Sequence, residues 1–168
     1  VENDFVLLEE ELRFTDDFLS IQKLRFGDAF SYTISVPAFL RQARIPPSVI
    51  KSFAENAVKY ARNMSGEAKI DIRASMQNRQ GKTRLWLEVL DNGPGFSEEV
   101  LQALQQKAQP FFDGRVHIGI ANVRQRLELL YAGKAEVHLE NRPDGGAHVS
   151  VILPLSYGTE PPEKEETP

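Results

Sequence analysis

The sequence lacks cysteine, a long apolar run and a basic segment followed by an apolar stretch, and each of these absences argues against a class of protein. Without cysteine, a disulfide framework, a Cys-ligated zinc or iron–sulfur site and a thiol nucleophile are excluded. No apolar run approaches the roughly 18 residues of a membrane-spanning helix, and no basic segment followed by an apolar stretch predicts a signal peptide. The 168 residues, 41% hydrophobic and 26% charged, are typical of one globular domain. Because the first residue is Val1 rather than Met, we expect a piece of a longer protein.

Charge of one sign is concentrated only at the carboxyl end. Residues 156–168 contain four glutamates and a single cation, Lys164, and contribute −3 of the net charge of −4. The body of the chain is therefore close to neutral, which argues against a nucleic-acid-binding protein that works through a broad basic field. Residues 156–168 also contain three prolines and little to bury, so we predict a disordered acidic tail there.

Hydrophobic periodicity predicts four helices and five strands. The predicted helices cover residues 5–25, 46–62, a short segment capped by Ser97, and 120–131; the predicted strands cover residues 30–36, 68–74, 83–90, 134–140 and 147–153. Residues 105–116 have little periodicity and are predicted to form a mobile loop. Strands with interposed helices indicate an α+β fold, a two-layer sandwich in which a mixed, mostly antiparallel sheet of about five strands is covered on one face by helices.

The first predicted helix has two apolar stripes rather than one. One stripe contains Leu7, Phe14, Phe18 and Ile21, and the other contains Phe5, Leu8, Leu12 and Leu19. A helix with two apolar faces needs two partners. Either the helix is wedged within its own core, or it also contacts a second domain or subunit.

Three polar segments have the residue types of a phosphate and nucleotide site. On the second helix, Glu55, Asn56 and Lys59 share the face opposite the apolar stripe, although a solvated polar face has the same pattern. The segment DNGPGF at residues 91–96 follows an apolar strand; a turn would explain it, and so would close approach of a flat ligand beside a carboxylate. The segment GIAN at residues 119–122 opens a helix, whose free N–H groups favour phosphate.

In this order and spacing the three segments resemble the GHKL ATPase superfamily, which has the Bergerat ATP-binding fold. ENAVK at residues 55–59 resembles the N box, DNGPGF the first glycine box, and GIAN the second. The segments IQKLRFGD at residues 21–28, IPP at residues 45–47 and NVRQRLELLY at residues 122–131 are similar to the LytS/YesM-like group of bacterial sensor histidine kinases. The resemblance extends over about residues 5–155.

The resemblance implies a catalytic role for three residues of the N box. Asn56 would present its amide oxygen to Mg²⁺, Glu55 would orient a metal-bound water or assist proton removal, and Lys59 would contact a phosphate. The implied cofactors are ATP, as the substrate, and Mg²⁺.

The two glycine boxes would bind the nucleotide. Asp91 would accept a hydrogen bond from the adenine amino group. The other implied nucleotide-binding residues are Gly93, Gly95 and Phe96, near the base, and Gly119, Ile120 and Asn122, at the phosphates. The family usually has glycine where His117 stands and threonine where Ala147 stands. We therefore expect altered closure of the loop at residues 105–116, which would act as a lid, and a pocket with one hydroxyl fewer.

The resemblance therefore implies the ATP-binding catalytic domain of a two-component sensor histidine kinase. Residues 1–27 would link to a dimerisation and phosphoacceptor region, residues 28–155 would form the catalytic domain, and residues 156–168 would form the tail. The implied partners are the phosphoacceptor histidine helix of its own dimer and a response regulator. The parent protein would be a membrane-anchored bacterial homodimer, with this domain in the cytoplasm beneath the inner membrane.

The sequence contains no histidine in a helical context that would suit the phosphoacceptor, since His117, His138 and His148 are far apart in the sequence. The fragment alone is therefore expected to lack autophosphorylation. Two alternatives remain open: a nucleotide-binding regulatory module without transfer activity, and an ATPase domain of the gyrase or MutL type.

Overall fold

The computed structural model describes residues 5–61, 64–105 and 118–158. Its helices are α1 (Leu8–Phe26), α2 (Val49–Ala61), α3 (Glu98–Gln105) and α4 (Ile118–Tyr131). Its strands are β1 (Val6–Leu7), β2 (Phe30–Ser35), β3 (Arg44–Ile45), β4 (Ala68–Arg79), β5 (Lys82–Asp91), β6 (Glu136–Asn141) and β7 (Ala147–Pro154). Among the described helices, none combines the length and apolarity that crossing a membrane requires. The predicted mobile loop and the predicted acidic tail lie almost wholly outside the described residues.

Five of the strands form one mixed sheet in the order β2-β4-β5-β7-β6. Strands β2 and β4 are parallel, because the chain between them crosses over through α2, while the other neighbours are antiparallel. The expected mixed, mostly antiparallel sheet of five strands is confirmed. The β4–β5 hairpin is longer than predicted and turns at Gln80 and Gly81, both of which have positive φ, as a two-residue hairpin turn requires.

The helices cover one face of this sheet. Along β4 and β5 the buried residues alternate with exposed or half-buried ones, so Ile72, Leu87 and Val89 lie in the core with residues of all four helices. The opposite face carries polar side chains such as Glu88 and His148. Since Asp91 follows Val89 by two residues, it lies on the helix-covered face at the end of β5.

Helix α1 buries one of its two apolar stripes in this core and only part of the other. Leu8, Leu12 and Leu19 are at most 2% exposed, whereas Phe14 and Ile21 are more than half exposed. The helix begins at Leu8 rather than at the predicted residue 5, because β1 pairs with the distant strand β3. The stripe that contains Leu8 therefore lies in the chain's own core. In the other stripe, Phe18 packs against the same core, whereas Phe14 and Ile21 remain on the surface.

Candidate nucleotide-binding site

Helix α2 presents the three predicted N-box side chains on its polar face. The buried residues Phe53, Ala57 and Val58 fix the orientation of the helix, because this face packs on the sheet. Glu55 and Lys59 are consequently exposed and Asn56 is half-buried. Glu55 forms an exposed ion pair, with its Oε1 3.6 Å from the Nζ of a lysine one turn earlier. Within the described residues, no hydrogen bond engages the amide of Asn56, so its oxygen is available to a ligand.

Asp91 is a partly buried carboxylate whose orientation is fixed by two backbone donors. The N–H of Gly93 donates to Asp91 Oδ1 at 2.8 Å, and the N–H of Ala147 donates to the same oxygen at 3.2 Å. Burial raises the pKa of Asp91 above its usual range; the two N–H donors and the positive charge of Arg142 oppose this effect without cancelling it. Within the described residues Oδ2 receives neither bond, so one oxygen is held while the other can accept from a ligand.

The geometry of the turn requires glycine at Gly95 and leaves little room for a side chain at Gly93. Gly95 has φ 76°, and a Cβ there would come within 2.6 Å of Asn141 Oδ1. A Cβ at Gly93 would come 3.0 Å from Asp91 Oδ1, tighter than ordinary contacts. Phe96, the last residue of the segment, is 7% exposed and belongs to the core, which anchors the turn to the sheet.

Two asparagines secure this turn from opposite sides. Asn92 Oδ1 accepts from the N–H of Lys69 at 2.8 Å, and its Nδ2 donates to the carbonyl of Glu67 at 2.9 Å. Asn141 Oδ1 accepts from the N–H of Phe96 at 2.7 Å, and its Nδ2 donates to the carbonyl of the same residue at 2.8 Å. Each amide therefore satisfies one backbone donor and one backbone acceptor, as a neighbouring strand would. Neither asparagine was predicted from the sequence to have a role in the site.

Gly146 is a further site residue that the sequence analysis missed. It has φ 105°, and a Cβ at this position would lie 1.9 Å from the carbonyl oxygen of Asp91, so the backbone of the β6–β7 hairpin touches the backbone of β5. Arg142 of the same hairpin donates from Nη1 to that carbonyl at 3.0 Å. The segment PDGG at residues 143–146 signals a hairpin turn, but no local signal shows that its last glycine contacts Asp91.

This contact predicts unequal effects for two adjacent glycines. Gly145 also has a positive φ, 100°, but a Cβ added there would meet open space. Gly145→Ala and Gly146→Ala therefore impose similar backbone strain, and only Gly146→Ala adds a steric clash. We expect Gly146→Ala to lower the free energy of unfolding by about 1–3 kcal/mol more than Gly145→Ala, as overpacking does, and to weaken ATP binding by displacing Asp91. Chemical denaturation and calorimetric titration of both variants measure this; equal losses would contradict the close contact.

The second glycine box lies at the start of α4. The helix begins at Ile118, one residue before Gly119, which is exposed and has open space around its Cβ position. Ile120 is 1% exposed and packs in the core, while Asn122 faces solvent. His117 lies outside the described residues. The helix start is thus anchored by Ile120 and accessible at Gly119 and Asn122, which suits a phosphate contact.

The fold brings the three segments into one neighbourhood, because α2 packs against both β5 and α4. The described residues contain no group of three or more His, Cys, Asp or Glu side chains that could hold a metal alone. A single amide oxygen, that of Asn56, nevertheless fits Mg²⁺, which binds through few protein ligands and completes its shell with phosphates and water. The arrangement therefore places a carboxylate with one open oxygen, Asp91, at one end of the neighbourhood and the polar faces of α2 and α4 at the other.

Comparisons with known proteins agree with this architecture. Residues 43–157 match the family model described as histidine kinase-, DNA gyrase B-, and HSP90-like ATPase. The chain is 31% identical over 153 residues to the sensor protein LytS of Oceanobacillus iheyensis, covering 89% of this chain and 25% of that protein. It is 27% identical over 153 residues to the sensor protein kinase HptS of Staphylococcus aureus, covering 91% of this chain and 29% of that protein. The chain thus spans little more than a quarter of these relatives.

Solved structures show the same fold. The catalytic domain of the histidine kinase ThkA superimposes with a TM-score of 0.63 at 20% sequence identity, over 92% of this chain and 97% of that chain. A mycobacterial sensor histidine kinase, MprB, superimposes with a TM-score of 0.60 at 15% identity, over 92% and 98% of the two chains. Because the family model matches well over half of the sequence, the chain belongs to the family of histidine kinase-, DNA gyrase B- and HSP90-like ATPases.

Proposed function

We propose that this chain is the ATP-binding catalytic domain of a sensor histidine kinase, which transfers the γ-phosphoryl group of ATP to a histidine elsewhere in its parent protein. The observation that supports it most directly is the arrangement of Asp91. One carboxylate oxygen accepts two backbone N–H bonds, and the other can accept from the amino group of adenine. The family match and the sensor-kinase relatives support the same proposal.

Recognition of the base would depend on Asp91 and the backbone around it. Gly93 and Gly95 would allow the backbone of the turn to pass close to the adenine ring, and Phe96 anchors that turn in the core. The N–H of Ala147 already donates to Asp91, so this residue contributes its backbone but lacks the hydroxyl of the threonine that the family usually has. We therefore expect base binding through fewer hydrogen bonds than in such relatives.

The phosphates would lie between α2 and the start of α4. Asn56 would offer its amide oxygen to Mg²⁺, whose charge would neutralise that of the phosphates when bound. Lys59 would contact a phosphate, and Glu55, on the same exposed face, would orient a water or assist removal of the acceptor's proton. Gly119, Ile120 and Asn122 would supply the helix start that binds phosphate. Phosphoryl transfer requires mostly positioning and charge neutralisation, which these groups would provide.

The partners and location follow from the same proposal. The acceptor would be a histidine helix of the parent protein's own dimer, and a response regulator would receive the phosphoryl group. The parent would be a membrane-anchored bacterial homodimer with this domain in the cytoplasm. The division into residues 1–27, 28–155 and 156–168 stays a prediction. The relatives, a sensor protein and a sensor protein kinase, support a sensor kinase as the longer protein, and the acceptor, regulator, dimer and anchor are proposed on that basis.

Incubation with γ-labelled ATP and Mg²⁺ tests the proposed reaction. The chain alone is expected to bind ATP and retain no acid-labile phosphohistidine, because none of its three histidines lies in a suitable context. Its parent protein, which includes the acceptor helix, should become labelled. Stable label on His138 or His148 of the chain would contradict the assignment of the acceptor. In the full-length protein, release of inorganic phosphate without protein label would favour an ATPase of the gyrase or MutL type. ATP binding by the full-length protein with neither label nor phosphate release would favour a regulatory module.

A further inference from the structure

Glu11 of α1 is a buried carboxylate that contacts the start of α2. Its side chain is 3% exposed, although glutamate is rarely buried without partners. The N–H of Ser48 donates to its Oε2 at 2.9 Å, and the N–H of Lys51 donates to its Oε1 at 3.1 Å. Both oxygens are therefore bonded to the backbone that opens the N-box helix, and to no other described side chain.

These two bonds are those of a capping box, supplied from another helix. In a capping box, a Ser or Thr at the N-cap bonds the N–H of the third helical residue, and a Glu at that third position bonds the N–H of the N-cap. Here Ser48 is the N-cap and Lys51 the third residue, and Glu11 accepts both bonds. The first turn of α2 contains no acidic residue of its own, so Glu11 also provides the negative charge that the helix dipole favours.

The start of α1 is fixed in return by the segment that precedes α2. The first N–H groups of α1, those of Leu8 and Glu9, donate to the carbonyls of Ala43 and Arg41 at 2.8 and 2.9 Å. Strands β1 and β3 pair beside these bonds. The amino-terminal ends of the two helices are therefore held together by backbone bonds in one direction and by the Glu11 carboxylate in the other.

We propose that Glu11 is a positioning residue for the nucleotide site: it fixes the start of α2, and through that helix the position of Asn56 relative to Asp91. The inference rests on the function proposed above. It follows because Asn56 lies on the same rigid helix as the capped turn, whereas Asp91 belongs to the sheet. A displacement or rotation of α2 would therefore move the phosphate end of the site and leave the base end in place.

Three substitutions separate positioning from simple stabilisation. Glu11→Gln keeps the size but replaces one acceptor oxygen with an N–H₂ group that faces a backbone donor, and removes the charge. Glu10→Gln makes the same change at the exposed neighbouring position and is the matched control. Leu19→Val removes buried volume from the same helix, where Leu19 is 0% exposed. It leaves the bonds of Glu11 to the start of α2 unchanged. The measurements are calorimetric ATP binding with and without Mg²⁺, and hydrogen exchange at the amides of Ser48 and Lys51.

In Glu11→Gln, the hydrogen-exchange rate of the Lys51 amide is expected to rise about 10-fold, because this amide loses its bond to a charged acceptor. Affinity for ATP with Mg²⁺ should fall about 10-fold, within the loss that an ångström of misplacement can cause, while metal-free affinity should stay within about two-fold. Glu10→Gln should match the unsubstituted chain in both measurements. Leu19→Val should lower the stability without changing the ratio of the ATP affinities with and without Mg²⁺. An unchanged ratio in Glu11→Gln, or an equal change in Leu19→Val, would overturn the positioning role alone. Absence of ATP binding by the unsubstituted chain would overturn the proposed function and the positioning role together.

Discussion

Replacing Asp91 with asparagine is expected to lower the affinity for ATP by about 10- to 150-fold, because a hydrogen bond to a charged acceptor contributes about 1.5–3 kcal/mol. In the parent, Oδ1 is held by the N–H groups of Gly93 and Ala147, so Oδ2 is the oxygen that would accept from the adenine amino group. In the variant, the amide oxygen best satisfies those same two N–H groups. The amide N–H₂ is then directed at the adenine amino group, and two donors face one another.

The same substitution should change nucleotide selectivity. Guanine has a carbonyl where adenine has its amino group, so the parent should reject GTP, and a site built to accept from an amino group discriminates strongly against its absence. Asp91→Asn presents a donor at that point and should lose part of the preference for ATP. Calorimetric titration of both proteins with ATP and GTP measures the two affinities. Asp144→Asn, at an exposed aspartate of the β6–β7 hairpin, is the control and should behave like the parent.

The raised pKa of Asp91 predicts that this variant is no less stable than the parent. A carboxyl whose pKa is higher in the folded state contributes stability below its ordinary pKa and loses that contribution as the pH rises through the folded-state pKa. At neutral pH the ionised Asp91 therefore lowers the free energy of unfolding, and the neutral amide does not. A residue needed only to form the turn would leave the nucleotide selectivity unchanged. Tight ATP binding by Asp91→Asn would rule out the adenine assignment.

The local elements of the fold could be predicted from the sequence because their signals are local. Alternation along β4 and β5 and the apolar spacing of α2 and α4 depend on residues a few positions apart. The cap of α3 was also predicted and is confirmed, since the N–H of Val100 donates to Ser97 Oγ at 3.3 Å. The start of α1 was wrong by three residues, and the parallel pairing of β2 with β4 was not assigned. Both depend on partners far along the chain, which periodicity does not reveal.

The residues of the candidate site likewise separate into those that local sequence patterns predict and those that they do not. Asp91, Gly93 and Gly95 could be selected because a carboxylate and two glycines after an apolar strand form a local pattern. Asn141 and Gly146 could not, because they contact residues 91–96 only through the register of β6 against β7, in which Asn141 pairs with Ala147, and that of β7 against β5. The capping contact of Glu11 likewise joins residues 37 and 40 positions apart. The residues proposed to bind the ligand left signals in the sequence, whereas the residues that hold them in place did not.

Replacing Asn56 with alanine is the second substitution for which we expect a large effect, and that effect should depend on metal. Even the loss of a group that only supports a metal ligand typically costs 10- to 100-fold, so removal of the ligand oxygen should slow Mg²⁺-dependent phosphoryl transfer to an acceptor supplied in trans by about 100-fold or more. Metal-free ATP binding depends on the base end at Asp91 and should stay within about two-fold of the parent. The fold should tolerate the change, because the Asn56 amide has no hydrogen bond within the described residues.

Two further variants assign this effect to the oxygen of Asn56. Asn56→Asp keeps an oxygen at the same position and should restore a large part of the Mg²⁺-dependent transfer, because carboxylate oxygens also suit this ion. Asn78→Ala changes an exposed asparagine at the far end of β4 and should leave both measurements unchanged. The experiment compares ATP affinity with and without Mg²⁺ and the initial rate of transfer for all four proteins. Equal metal-dependent transfer by Asn56→Ala and the parent would exclude Asn56 from the metal site.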